Sequence, residues 1–377
     1  MSSMNSTNQS KEAIMINTSI QKVIRGEDLS EKEMEETMAG ILQNAFYPSQ
    51  ASAFLTALRR KGETVDEITG ATRALRSRIH RFQLNNHVVN IDRDDINVEA
   101  ETILEVADSG QRGTHIFNVS AASTFVVAGA GIRIARYGNR ASSRFLGTAD
   151  VLEYLGINLD ISSSDVERSL AEVGIGLMFA PVFHTPMRHV ARLREEMGIR
   201  TIFNLIGPLA NPAGAVSHVL GVYEPDLTEK IAQVIQRLGG SRAVVCCGQD
   251  TIDELSICGE TKISHLQDGR IRSFRAAPED YGMQRVDRKA LKGGNVRENA
   301  EIVRAVLSGE KGPKRDLVLL NSAAAFWAYG LDEAIESGIE RAAMIIDSGS
   351  AMAKLEALIG FTQQCVPFTL STVASAG

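Results

Sequence analysis

No stretch of this chain reaches the roughly 18 consecutive apolar residues a membrane-spanning helix needs, although apolar residues make up 44% of the sequence. The first dozen residues, MSSMNSTNQSKE, are polar and lack the apolar core of a secretory signal. They read as a disordered tail over residues 1–13, and a cytoplasmic location is expected. Cysteine is scarce, confined to Cys246, Cys247, Cys258 and Cys365. Their spacing fits neither a metal site nor a disulfide framework, so a reducing compartment is expected. Cys246 and Cys247 lie in the apolar run RAVVCCG, where a cysteine serves as a small core residue. A basic excess is missing too: the net charge is -6, which disfavours nucleic acid as a partner and leaves room only for a local basic pocket. Neither an internal repeat nor a low-complexity linker interrupts the chain.

What is present suits a globular protein. A chain of 377 residues buries a large core in one large domain or two. From about Ile14 to Arg81 the pattern is helical. Ser30 with Glu33 and Thr64 with Glu67 match the capping box before apolar periodic runs. Between them Pro48 marks a turn, and Ala51, Phe54, Leu55 and Leu58 recur at helical spacing. This predicts a small helical domain over residues 14–90, ending in a polar hinge.

Residues 91–377 read as a larger α/β domain. Apolar strand-like runs (TILEVADSG, IRIA, GIGLMFAP, TIFNLIG, HVLGVY, AVVCCG) alternate with helices, among them one at Ser164 capped with Glu167 and one from about Asp226. Such alternation predicts βαβ units and a mostly parallel central sheet. ELSICGETKISHLQDGRIRSF alternates with period two around a DG turn and predicts an antiparallel addition at the sheet's edge. The last part of the chain returns to helix. The fold class is therefore α/β: a small N-terminal helical domain, then a larger domain with a mostly parallel sheet and C-terminal helices.

The stretch from Val106 to Glu153 carries the first chemical signal. It opens on a glycine turn with Gly110 and Gly113, gives Asn118 and Ser120, and crosses an apolar run. It closes on Gly138-Asn139-Arg140 and a serine- and glycine-rich loop containing Ser143. A glycine loop running into a helix start exposes backbone N–H groups to an anion and lets the chain approach it closely. Arg112, Arg136, Arg140 and Arg144 concentrate positive charge there, in a chain acidic overall. The combination predicts a site for a highly phosphorylated ligand. Asn118 and Asn139 either bind pyrophosphate or ribose hydroxyls or stabilise turns.

Two further groups stand out. Adjacent Asp253 and Glu254 follow a strand and a polar turn, in GQDTIDELS; they either open the turn or hold magnesium, which takes one or two carboxylates and keeps most of its water. Arg194, in HVARLREEMG, either pairs with a nearby glutamate or grips a planar carboxylate, which a guanidinium fork suits.

FNVSAAS, RYGNRASS, GTADVLEYLGINLD, the long segment from Val173 to Ala215, DTIDELSICGETKI and NVRENAEIVRAVLSGEKGPKRDLVLLNSAAAFWAYG occur here in order. With these motifs nearly the whole chain resembles the anthranilate phosphoribosyltransferase family, of the nucleoside phosphorylase-like fold. The resemblance implies phosphoribosyl transfer from 5-phosphoribosyl-1-diphosphate to the amine of anthranilate, a step of tryptophan biosynthesis. It also implies a homodimer formed through the helical domain together with part of the later chain. It places Mg2+ on Asp253 and Glu254, with Ser120 matching the residue that joins another magnesium ion, and the anthranilate carboxylate on Arg194. His184 and Met187, in FHTPM, would line the acceptor side with Asn139. Since the aromatic amine is neutral at pH 7, His184 is expected as a pocket wall and hydrogen-bond donor rather than a strong base. Asn204, in IFNLIGP, is expected to fix a loop.

The phosphate cradle departs from the family pattern. Where the family has GTGGDG, this chain has Asp108-Ser109-Gly110-Gln111-Arg112-Gly113. The family's KHGNR is RYGNR, and Arg144 and Phe145 stand in the serine-rich loop in place of a hydroxyl and a lysine. Ala121 replaces a threonine beside Ser120. The acceptor and metal sides are kept and the cradle stays cationic. Three readings stay open: the family's enzyme with altered contacts, a specialised paralogue with another donor or acceptor, or a non-catalytic relative that binds a ligand or nucleic acid.

Overall fold

The computed structural model describes residues 15–78, 104–108, 116–138, 147–179, 185–211, 213–249 and 253–366. Of the residues singled out above, Gly110, Arg112, Gly113, Asn139, Arg140, Ser143, Arg144 and His184 lie outside them.

The chain opens with α1 (15–24), α2 (Glu31–Leu42), α3 (Pro48–Lys61) and α4 (Val65–Arg76). Both expected capping boxes form. The Ser30 and Thr64 side chains accept from the amides of Glu33 and Glu67, whose carboxylates return to the cap amides. Each box satisfies donors that a helix start leaves without partners. Pro48 opens α3 at a first-turn position, where its missing N–H costs nothing. Ala51, Phe54, Leu55 and Leu58 form its buried face.

The sheet has the order β3-β2-β1-β4-β5-β6-β7. Its strands are β1 (Leu104–Asp108), β2 (Ile134–Gly138), β3 (Ile175–Phe179), β4 (Ser217–Gly221), β5 (Arg242–Gly248), β6 (Thr261–Gln267) and β7 (Arg270–Ala276). The first five run parallel. The last two add antiparallel at the edge, as the alternating pattern predicts. Asp268 and Gly269 make their turn, with φ of 50° and 71°, the left-handed pair that an Asp-Gly hairpin turn uses.

Helices α5 (Val119–Gly129), α6 (Thr148–Tyr154), α7 (Ser163–Glu172), α8 (Thr185–Met197), α9 (Phe203–Leu209) and α10 (Leu227–Arg237) intervene between strands. Helices α11 (Val296–Leu307), α12 (Pro313–Tyr329), α13 (Ile335–Asp347) and α14 (Ser350–Gln364) close the chain. Strand β5 shows how the sheet is covered on both faces. Ala243, Val245 and Cys247 join α10, α9 and the N-terminal helices in one core. Val244 and Cys246 join α5 and the C-terminal helices in the other. Side chains alternate across a strand, so a run apolar at every position needs cover on both sides. Helices α5 and α12 are buried almost all round and lie deep in the second core.

Two local expectations are corrected. TIFNLIG, expected as a strand, forms α9, with Phe203, Leu205, Ile206 and Leu209 buried. A short apolar run does not tell a buried strand from a buried helical turn by periodicity. Here Asn204 decides, since its Oδ1 accepts from the Thr201 amide at 3.1 Å and starts the turn. The cap of α7 is Ser162 rather than Ser164, and its partner is Asp165, whose amide meets the Ser162 hydroxyl at 3.1 Å. Three serines in a row left that choice to the exit geometry of the preceding chain. Among the described residues no helix is long and apolar enough to cross a membrane.

Candidate active site

Strands β2 and β3 lie on one side of β1, and β4 and β5 on the other. The crevice outside the carboxyl ends of β1 and β4, where the chain reverses its direction of growth, is where open α/β sheets bind ligands. The described candidates of the phosphate and metal sides gather around it.

On one side stands the start of α5. The chain enters it at Ile116, which bridges Lys292, and the Phe117 amide donates to Leu291 O at 3.1 Å. Asn118 occupies the cap position without a capping bond of its own; its Nδ2 donates to the Thr148 hydroxyl at 3.4 Å. Ser120 lies in the first turn, buried. Arg136, the middle residue of β2, is only 6% exposed and reaches across to this turn. Its Nη2 donates to Ser120 Oγ at 2.8 Å and to Thr148 Oγ1 at 3.5 Å, and its Nη1 to Thr124 Oγ1 at 3.3 Å. Asn211 holds β2 from behind, donating to Ala135 O at 2.9 Å. These bonds fix the guanidinium beside the first turn of α5, whose amides favour an anion. Gly138 ends β2 and leads into the stretch carrying Asn139 and Arg140.

Across β1 lies the acidic pair. Gly221, the last residue of β4, meets the backbone of Asp253. Asp253 is 6% exposed and Glu254 is half-buried. The Cys246 thiol on β5 is pushed well up, by burial first and then by the negative charge of Glu254 and Asp253. Two carboxylates concentrated beside a buried thiol suit a hard divalent cation. Among the described residues no three His, Cys, Asp or Glu side chains could cage a metal by themselves. Magnesium takes few protein ligands and leaves the rest to water and phosphate. Ser120, expected as a further ligand, carries the Arg136 guanidinium on its hydroxyl and would have one lone pair left to offer a cation. With neighbouring strands ~4.8 Å apart, the β2 and β4 sides of the crevice are roughly 10 Å apart.

The acceptor candidates stand on α8. Arg194 is half-buried in its last turn, with the guanidinium carbon 5.6 Å from the centre of the Phe203 ring on α9. Met187 lies in the first turn of α8.

Asn321 was not foreseen. Its amide on α12 holds the backbone of Leu255, next to the acidic pair, from 66 residues away. An asparagine in an apolar stretch was the available signal, and nothing in local spacing joins it to Glu254.

Comparison with known proteins agrees with this layout. Residues 17–79 match the glycosyl transferase family helical bundle domain, and residues 100–352 match the glycosyl transferase family a/b domain. The anthranilate phosphoribosyltransferase of Geobacter sp. (strain M21) is 46% identical over 350 residues, covering 93% of this chain and 99% of the relative. That of Syntrophotalea carbinolica is 48% identical over 352 residues, covering 93% and 100%. The crystal structure of the Thermus thermophilus enzyme superposes with a TM-score of 0.81 at 36% identity, covering 92% of this chain and 99% of that one. The Saccharomyces cerevisiae enzyme in complex with PRPP and Mg gives a TM-score of 0.79 at 25% identity, covering 92% and 98%. With a helical bundle, a doubly covered parallel sheet and an acidic pair at its switch point, the chain belongs to the anthranilate phosphoribosyltransferase family.

Proposed function

We infer that this chain transfers the phosphoribosyl group of 5-phosphoribosyl-1-diphosphate to the amine of anthranilate and releases diphosphate, the phosphoribosyl-transfer step of tryptophan biosynthesis. The observation that carries the reading is Arg136, buried, bonded to hydroxyls and set at the start of α5, on a strand separated by β1 from β4, whose last residue meets Asp253. One side offers a fixed cation and helix amides for phosphate, the other a carboxylate pair for magnesium.

Arg136, the Ser120 hydroxyl and the first amides of α5 bind the diphosphate, and Arg112, Arg140 and Arg144 add charge from the adjoining loops. Asp253 and Glu254 would hold magnesium, with Ser120 as a ligand from the other side of the crevice, and the ion would supply positive charge to offset that of the departing diphosphate. As the bond at C1 of the ribose lengthens and the ring takes on oxocarbenium character, these groups stabilise the growing negative charge of the leaving group. Arg194 holds the anthranilate carboxylate so that the neutral amine faces C1 and attacks with inversion. His184, Met187 and Asn139 line the entry side. Orientation carries much of the rate, because a held acceptor meets a held donor. The proton lost by the amine after attack needs no strong base.

The helical domain, which exposes Ile24 and Tyr47, supplies the contact of a homodimer in this reading. Four cysteines without disulfides suit a cytoplasmic enzyme.

The test follows anthranilate fluorescence on mixing purified protein with 5-phosphoribosyl-1-diphosphate and magnesium. Loss of signal that EDTA and Arg194→Ala both abolish supports the assignment. No loss from folded protein overturns it, in favour of another donor or acceptor or of a binding role. Asp253→Asn with Glu254→Gln should cut turnover far more than stability; wild-type turnover in that double variant would remove the metal role.

A further inference from the structure

The acidic pair sits on a loop, and a loop alone does not hold two carboxylates in place. Its fixed point is one residue on. The Leu255 amide donates to Asn321 Oδ1 at 3.0 Å, and Asn321 Nδ2 donates back to Leu255 O at 2.9 Å. One side chain thus takes both backbone groups of a single residue, as a strand neighbour would. The same Nδ2 donates to Leu317 O at 2.9 Å, one turn earlier on α12, which sets which way the amide faces. Asn321 is 7% exposed. A buried amide is costly unless its bonds are made, and asparagine is a poor residue for a helix interior. Helix packing alone would be served better by an apolar side chain of the same size.

The other side of the loop is held by contact. A Cβ at Gly221 would lie 1.4 Å from Asp253 O, so only glycine lets the Asp253 backbone rest on the end of β4. Beyond Leu255, the Ser256 amide donates to Thr261 Oγ1 at 2.9 Å and continues the seam into β6.

We propose that Asn321 is a positioning residue for magnesium: by clamping Leu255 while Asp253 rests on Gly221, it sets the Asp253-Glu254 pair at the crevice. This rests on the magnesium reading above, and the test separates the two. Amide exchange in the metal-free protein reports the clamp alone. Wild-type Leu255 should be protected, and Asn321→Leu should speed its exchange at least 100-fold while β4 amides keep their protection. In activity, Asn321→Leu should need at least tenfold more Mg2+ for half-maximal rate, with KM for anthranilate within twofold of wild type. Gly221→Ala, which lifts Asp253 from the other side, should raise the Mg2+ requirement in the same way and serves if Asn321→Leu does not fold. Fast exchange of Leu255 in the wild type, or an unchanged Mg2+ requirement in the folded variants, overturns the positioning role. A wild type active without any divalent cation overturns the magnesium reading itself.

Discussion

Arg136 donates to the Ser120 hydroxyl across 2.8 Å, tying the middle of β2 to the first turn of α5. The bond makes a definite demand on activity. A hydrogen bond to a charged group is worth about 1.5–3 kcal/mol, which corresponds to roughly 10- to 100-fold in kcat/KM at 1.4 kcal/mol per tenfold. Arg136→Met should lose that much in kcat/KM for 5-phosphoribosyl-1-diphosphate, with anthranilate dependence little changed. Arg136→Lys keeps the charge but spans fewer hydroxyls, and should lose less. If Arg136→Met leaves the donor dependence at wild type, the arginine is only a strut between strand and helix.

Glu67 is the corresponding anchor of the helical domain. Fully buried, it accepts from the amides of Leu29 at 3.0 Å and Thr64 at 2.9 Å and from Lys61 Nζ at 3.0 Å. The partners come from the chain before α2, the loop before α4 and the end of α3. Removing one partner of a buried, hydrogen-bonded ion pair costs about 3–5 kcal/mol. Glu67→Ala should lower the unfolding free energy by that order in a urea titration. A loss below about 1 kcal/mol would mean that the three donors find water instead.

These two anchors differ in how far the sequence announced them. Thr64 and Glu67 are three residues apart, and the capping box is a local pattern, so it was legible. The hydroxyl partners of Arg136 come from Ser120, Thr124 and Thr148, on helices that only the fold brings to β2. Strands β6 and β7 were legible because alternation and a DG turn are local as well. Helix α9 was not, because seven apolar-rich residues satisfy either period and the Asn204 bond that decides between them is a side-chain choice. The acidic pair could be read from Asp253-Glu254 in its turn, whereas the Asn321 clamp on the next residue spans 66 positions and has no spacing to betray it.

Glu63 is a place where burial works against charge. Its side chain is 1% exposed, Arg59 stands 3.9 Å away, and Oε1 has no hydrogen-bond partner among the described residues. Burial raises its pKa above the usual carboxylate value. A group with a raised folded pKa contributes stability below its unfolded pKa and loses it as pH rises through the folded value. Glu63→Gln should therefore be more stable than wild type at pH 8, and the advantage should shrink toward pH 4. Melting curves at the two pH values decide it, and equal shifts at both would exclude titration of Glu63 as the cause.

His265 titrates in the opposite sense and carries its own reporter. Its ring stacks on Trp327, the chain's one tryptophan, with centroids 3.6 Å apart and planes 28° from parallel. Burial first, then Arg242 and Arg272, lower its pKa to about 4. The unfolded chain takes up this proton near pH 6.5, the folded chain only near pH 4. The contribution is therefore complete above about pH 6.5 and is lost as pH falls toward 4. His265→Phe keeps a stacked ring without a proton site, so it should flatten this part of the acid limb. His218, buried on β4 and also lowered to about 4, keeps its own share of the loss in both proteins. Protonated imidazole quenches indole, so wild-type Trp327 fluorescence should hold steady from pH 8 to 5 and fall with a midpoint near 4. The same fall in His265→Phe would assign the quenching to another group, and a wild-type midpoint near 6.5 would mean that the imidazole ring is open to water.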